Sequence, residues 1–211
     1  MKRMMNVMMS GALTVVGLTL SGGNALAQHY VQTNLVSDNG VAGTIVDPLL
    51  VNPWGLARSS GSPWWVADNH TGVTTLYDGS GNKQTLVVSG LGAPTGAVFN
   101  PTPDFVLPDG LPATFMFASE DGNITAWNGA LTPNTQAIVV VKRPKAIYKG
   151  LALASFKGKN YIYATDFHNA KVDVFDTHFH QAFTFTAGAA NGMAPFGIQN
   201  IGGSLIITLA P

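Results

Sequence analysis

The chain has 211 residues, with 11 basic and 11 acidic side chains, zero formal net charge, 46% hydrophobic residues and no cysteine. Balanced charge leaves no electrostatic footprint for nucleic acid, and the missing cysteines exclude disulfides, so stability must come from burial, for which the length suffices. With 24 Gly, 12 Pro and Glu120 as the single glutamate, the composition is that of turns rather than helices, and an all-β chain is expected.

In chain order, Met1-Lys2-Arg3 is a short positive segment, Val7 to Leu20 an apolar one, and Ala25-Leu26-Ala27 sets small residues where a signal peptidase reads. This predicts a removable secretory signal over 1–27, cleavage before Gln28, and a mature domain of 28–211 that is secreted or periplasmic. The apolar segment is short for a bilayer span, and no later one reaches the roughly 18 apolar residues a span needs, so no transmembrane anchor is expected in the mature chain. The signal also has no Cys for lipid attachment.

Beyond the signal, a four-part unit recurs. It opens with a glycine before a short apolar run: Pro53-Trp54-Gly55-Leu56-Ala57, Pro94-Thr95-Gly96-Ala97-Val98, Tyr148-Lys149-Gly150-Leu151-Ala152 and Pro195-Phe196-Gly197-Ile198, the glycines lying 41, 54 and 47 residues apart. A strongly apolar second run follows (Trp64 to Ala67, Thr114 to Ala118, Tyr161 to Ala164, Leu205 to Thr208), then an alternating third run ending in an aromatic at Tyr77, Trp127 and Phe175. Thr85 to Val88, Gln136 to Val141 and Ala182 to Thr186 supply the fourth run. Short β-rich runs bounded by turns suit strands, and four in 40–50 residues predict the blades of a β-propeller, about three and a half of them, rather than a sandwich. Pro101 to Pro112, with four prolines, is expected to be an inter-strand loop able to line a propeller face. Lys142-Arg143-Pro144-Lys145 with Lys149 is the densest basic stretch and reads as a solvated loop.

Tyr30 to Asp38, Asp47-Pro48, Val51 to Ala57, Trp65 to Asn69, Tyr148 to Ala152, Tyr163 to Asn169 and Ala194 to Gln199 resemble an uncharacterised bacterial family of secreted β-propeller proteins. The resemblance implies fold and export but transfers no activity. It also implies further blades beyond this chain, with Tyr30 to Ser37 expected to complete the last blade of a closed ring.

Chemistry-bearing residues cluster after the second strand of each unit. Aligning Tyr77 with Phe175 superposes Asp68 on Asp166 and His70 on His168, with Glu120-Asp121 filling the same place in the middle unit. One reading has each carboxylate capping its own turn. The other has Asp68, His70, Glu120, Asp121, Asp166 and His168 converging on a divalent cation such as calcium. His178 and His180, two apart, are a weaker metal pair. Trp54, Trp64, Trp65 and Trp127 suit core and inter-blade packing better than sugar stacking. No Gly-x-Ser-x-Gly elbow or phosphate loop occurs.

The function expected is an exported binding or scaffold protein for a small ligand or protein partner, with self-association through open blade edges. The alternatives are a divalent-metal-dependent hydrolase or lyase acting at the propeller face, and a truncated gene product.

Overall fold

A computed structural model describes residues 31–187 and 192–211. The signal segment 1–27 lies outside the described residues. The chain divides into Met1–Thr33 and Asn34–Pro211. Of the first unit only Val31 to Thr33 are described, and they form no strand. All that follows concerns the second unit.

Its strands are β1 (Val36–Ser37), β2 (Ile45–Val46), β3 (Pro53–Ala57), β4 (Trp64–Asp68), β5 (Val73–Tyr77), β6 (Pro94–Phe99), β7 (Phe115–Ser119), β8 (Asn123–Trp127), β9 (Ile138–Lys142), β10 (Tyr148–Phe156), β11 (Lys159–Asp166), β12 (Lys171–Phe175), β13 (Gln181–Phe185), β14 (Ala194–Ile201) and β15 (Ser204–Ala210). No helix occurs among the described residues, so none is long and apolar enough to cross a membrane.

The strands pair in sequence order as antiparallel sheets: β3-β4-β5, β6-β7-β8-β9, β10-β11-β12-β13 and β14-β15. Strands two to four of each full unit thus sit where the sequence pattern puts them. The first unit differs: its fourth run, Thr85 to Val88, forms no named strand and makes the isolated bridge of Thr74 to Val88, while Tyr77 bridges to Lys83 just before it. Polar Lys83, Gln84 and Thr85 stay exposed there, leaving little apolar surface to hold a regular edge strand.

Each glycine-anchored strand packs beside the next, in the order β3, β6, β10, β14. The glycines make this approach possible. A Cβ on Gly55 would lie 2.7 Å from the Ala97 nitrogen, one on Gly96 2.7 Å from the Gly150 carbonyl carbon, and one on Gly150 2.9 Å from the Phe196 oxygen. Side-chain hydroxyls tie the same seams. Thr95 donates to the Tyr148 carbonyl at 2.8 Å, and Thr165 donates to that of Phe196 at 2.5 Å.

Between sheets, the second strands interleave. Trp65 of β4 stacks on Phe115 of β7, centroids 4.3 Å apart, and meets Trp127 at 4.7 Å. Such ring pairs add about 0.5–1.5 kcal/mol beyond area burial. The core between the second and third sheets holds Met116, Ile124, Tyr148, Leu151, Ile162 and Phe175.

One expectation is extended by the structure. The proline-rich loop does not merely line a face: Phe105, in a left-handed conformation (φ 62°), and Leu107 turn inward and are buried in that same core. Within the described residues Val36 and Ser37 pair in parallel with Ile45 and Val46.

Candidate functional site

The four inner strands enclose an open groove of about 880 Å3, lined mainly by backbone and small side chains of the glycine-anchored runs. One end is chemically distinct. The residue before each anchoring glycine is Trp54, Thr95, Lys149 or Phe196, and the turn after each second strand contributes Asn69, Glu120 or Phe167. These three turn residues are structural equivalents, since their N–H groups donate to the carbonyls of Asn52, Ala93 and Ile147, each three residues before an anchoring glycine.

Lys149 is the centre of this end. Its ammonium pairs with Glu120 and lies over the rings of Trp54 (4.9 Å) and Phe196 (5.9 Å). Both contacts stabilise the charge, the rings through their negative faces. The rings themselves are 5.6 Å apart, and Phe167 meets Phe196 edge-on at 5.7 Å. Asn69 donates to Glu120 Oε2 at 3.0 Å and to the Pro94 carbonyl at 3.2 Å, and accepts from Asn52, which in turn accepts from the Trp54 indole N–H at 3.1 Å. Partial burial pushes the Glu120 carboxyl up, but the hydrogen bonds from Lys149 and Asn69 outweigh it and hold the group below the usual range. An ionised pair with aromatic walls therefore faces the groove end.

The sequence-predicted cluster is arranged differently. Asp68, Asp166 and Ser119 are the equivalent residues, pairing across to Pro53, Tyr148 and Pro94. Glu120 is therefore one residue out of register with Asp68 and Asp166, and one residue in a strand turns a side chain to the opposite face. Asp166 caps its own turn, accepting from the Asn169 backbone N–H and side-chain amide, and also accepts from the Ile147 N–H ahead of β10. Asp121 accepts from the Ala93 N–H at 2.9 Å. His70 and His168 are exposed. His178 and His180 stack on a turn capped by Asp176, ring centroids 6.3 Å apart. Among the described residues no three His, Asp or Glu side chains form a group able to hold a metal ion.

Asp68 is the outlier. It is fully buried, its Oδ2 accepts from the Thr75 hydroxyl at 2.7 Å, and its Oδ1 has no partner among the described residues. Burial pushes its pKa up to about 7, with the charge of Asp47 adding to the effect and the Thr75 bond opposing it. Nearby Asp47, although raised by burial, is held below the usual range by Lys83 and the Tyr77 hydroxyl.

Sequence reasoning missed Lys149 and the role of Trp54. The basic stretch Lys142 to Lys145 draws Lys149 into a loop reading, whereas its place directly before an anchoring glycine, shared with Trp54 and Phe196, is the signal that finds it. Of the four tryptophans, Trp65 and Trp127 are core residues, whereas Trp54 is half-buried at the groove end and Trp64 lies under Arg58.

No family model matches the chain. Two uncharacterised proteins of Acanthamoeba polyphaga mimivirus are each 29% identical to it over 83% of its length. The chain spans about half the length of these curated relatives, 48% of each. They overturn the attribution to a bacterial family: the similarity found is to giant-virus proteins. Among solved structures, a chain of the nidogen/laminin complex superposes with a TM-score of 0.54 at 15% identity, covering 74% of this chain and 55% of that one. Virginiamycin B lyase from Staphylococcus aureus superposes with a TM-score of 0.53 at 15% identity, covering 72% and 47%. At such identities the likeness shows the fold alone: four-stranded antiparallel sheets arranged as in propeller proteins.

Proposed function

We propose that the chain is a propeller-type binding module that takes a small ligand at the groove end built by Trp54, Lys149, Phe196 and Glu120. The observation that carries this is the pairing of half-buried aromatic faces with a fixed ion pair beside an open groove. A ligand with a flat apolar face and a hydrogen-bonding rim matches it: the ring lies on Trp54 while polar groups reach Glu120 and Lys149. Sites of this sort combine apolar walls with a few oriented polar groups. A metal-dependent hydrolase or lyase has less support, because the acids and imidazoles it needs are dispersed over separate turns.

Ligand-observed NMR against a panel of simple sugars and ring-bearing carboxylates tests the reading. Hits are expected on the wild-type chain, and Trp54→Ala is expected to weaken them by about tenfold or more, given the usual worth of a buried aromatic contact. No hits, or hits indifferent to Trp54→Ala, would overturn it.

The site is proposed to work outside the cell that makes the chain, on the strength of the leader-like segment 1–27. Expressed with that segment and recovered from the medium or an exported fraction, the protein is expected to begin at Gln28. Mass spectrometry reads this directly, and a mature protein that retains residues 1–27 would refute it.

A further inference from the structure

The hydrogen-bonding groups of the groove end are largely spent on one another. The Trp54 indole N–H donates to Asn52 Oδ1, the Asn52 amide donates to Asn69 Oδ1, and the Asn69 amide donates twice, to Glu120 Oε2 and to the Pro94 carbonyl. Trp54 therefore has no donor left and offers only ring surface, in an orientation that Asn52 fixes. The Thr95 hydroxyl is buried against the carbonyls of Ala118 and Tyr148 and adds nothing.

What remains belongs to the ion pair. Glu120 accepts from Lys149 on Oε1 and from Asn69 on Oε2, and each carboxylate oxygen has room for a second donor. The Lys149 ammonium has further N–H groups beyond the one given to Glu120. The two side chains are 14% (Lys149) and 32% (Glu120) exposed, so a ligand reaches both. Their charges cancel. An anionic ligand on the aromatic surface brings acceptors only and is repelled by Glu120 while Lys149 draws it in, and a cationic ligand meets the opposite conflict. A hydroxyl suits both partners, because it donates to the carboxylate and accepts from the ammonium.

Given the small-ligand site proposed above, on which this rests, we infer that the groove end takes a neutral sugar ring, its C–H face on the uncovered part of Trp54 and two neighbouring hydroxyls bridging Glu120 and Lys149. Vicinal hydroxyls stand about one hydrogen-bond length apart, which matches a carboxylate and an ammonium already in contact. Selection works by penalty: whichever charge a ligand carries, one member of the pair faces its own sign. Asn52 and Asn69 hold Trp54 and Glu120 in place beforehand, so little side-chain ordering opposes binding.

Ligand-observed NMR with the methyl glycosides of glucose, galactose and mannose, beside their uronate and amino-sugar counterparts and benzoate, tests this. At least one neutral glycoside is expected to bind, with its uronate and its amino sugar each weaker by about tenfold or more. Glu120→Gln should move the preference toward the uronate and Lys149→Met toward the amino sugar, each by about tenfold, with far-UV circular dichroism unchanged. Each variant reads separately, so one poorly folded protein does not decide the matter. A wild-type chain that binds a uronate or an amino sugar as tightly as the neutral ring, or a charge preference that stays put in a folded variant, would overturn the inference. Benzoate as the sole Trp54-dependent hit would also overturn it while leaving the small-ligand site standing, whereas the absence of any hit would remove both.

Discussion

Gly96→Ala is expected to destabilise the chain by about 3 kcal/mol or more. The added Cβ would meet the Leu151 nitrogen, lie 2.7 Å from the Gly150 carbonyl carbon and 2.8 Å from the Leu151 Cβ. Two of those three atoms are backbone in β10, itself paired to β11, so they have nowhere to move without prising two sheets apart. A typical domain is stable by only about 5–15 kcal/mol, and urea unfolding followed by tryptophan fluorescence would register the loss. The anchors should grade in effect. Gly55→Ala should approach Gly96→Ala, Gly150→Ala should cost less because its nearest neighbours stand at 2.9–3.0 Å, and Gly197→Ala should cost least because it meets only the Thr208 hydroxyl. Gly61, with nothing within 4 Å of an added Cβ, should tolerate Ala within about 0.5 kcal/mol. Equal effects at all five would mean that the glycines serve something other than strand contact.

The second large effect concerns pH. Burial, reinforced by the charge of Asp47, raises the Asp68 carboxyl from about 3.8 to about 7 in the folded chain. Between those two values the folded state holds a proton that the unfolded state has released, so stability falls as pH rises through this window. Below the unfolded value both states are protonated and the penalty vanishes. Above pH 7 it is complete, at most about 4 kcal/mol given the distance between the folded and unfolded values. Asp68→Asn keeps an oxygen for the Thr75 hydroxyl and removes the charge. The variant should therefore be the more stable protein at pH 8 by about 2–4 kcal/mol, less whatever its unpartnered amide costs, and the difference should shrink toward pH 4. Urea midpoints measured across pH 4–8 on both proteins decide the matter. An advantage that does not change with pH would show that the carboxyl is not carrying a buried charge.

The two effects come from residues of opposite legibility. Gly96 is visible in the sequence as one of four glycines heading apolar runs, and the structure gives the reason for the pattern: a Cβ cannot fit where inner strands pass. Asp68 is visible as well, but its environment is not. By pattern it matches Asp166, which accepts two hydrogen bonds from Asn169 in its own turn and a third from the Ile147 N–H, whereas Asp68 accepts one from Thr75 and leaves Oδ1 without a partner among the described residues. The difference comes from the partners: Asn169 turns its amide back to Asp166, while Asn69, equivalent to Phe167 rather than to Asn169, reaches across to Glu120.

Taken alone, the sequence determined the all-β class, the four-run unit and the position of the anchoring glycines, because strand periodicity, turn residues and close backbone approach are local properties that each repeat states again. Tertiary structure alone decided which face each turn residue takes. A register difference of one residue separates Glu120 from Asp68 and Asp166, and it carries Glu120 away from the expected acid cluster to Lys149, 29 residues later in the chain. The same holds for Lys149, lifted out of a basic stretch by the glycine it precedes and set between Trp54 and Phe196. Which side chains meet depends on how successive sheets stack, and that is fixed by contacts between residues far apart in sequence, not by the composition of any one run.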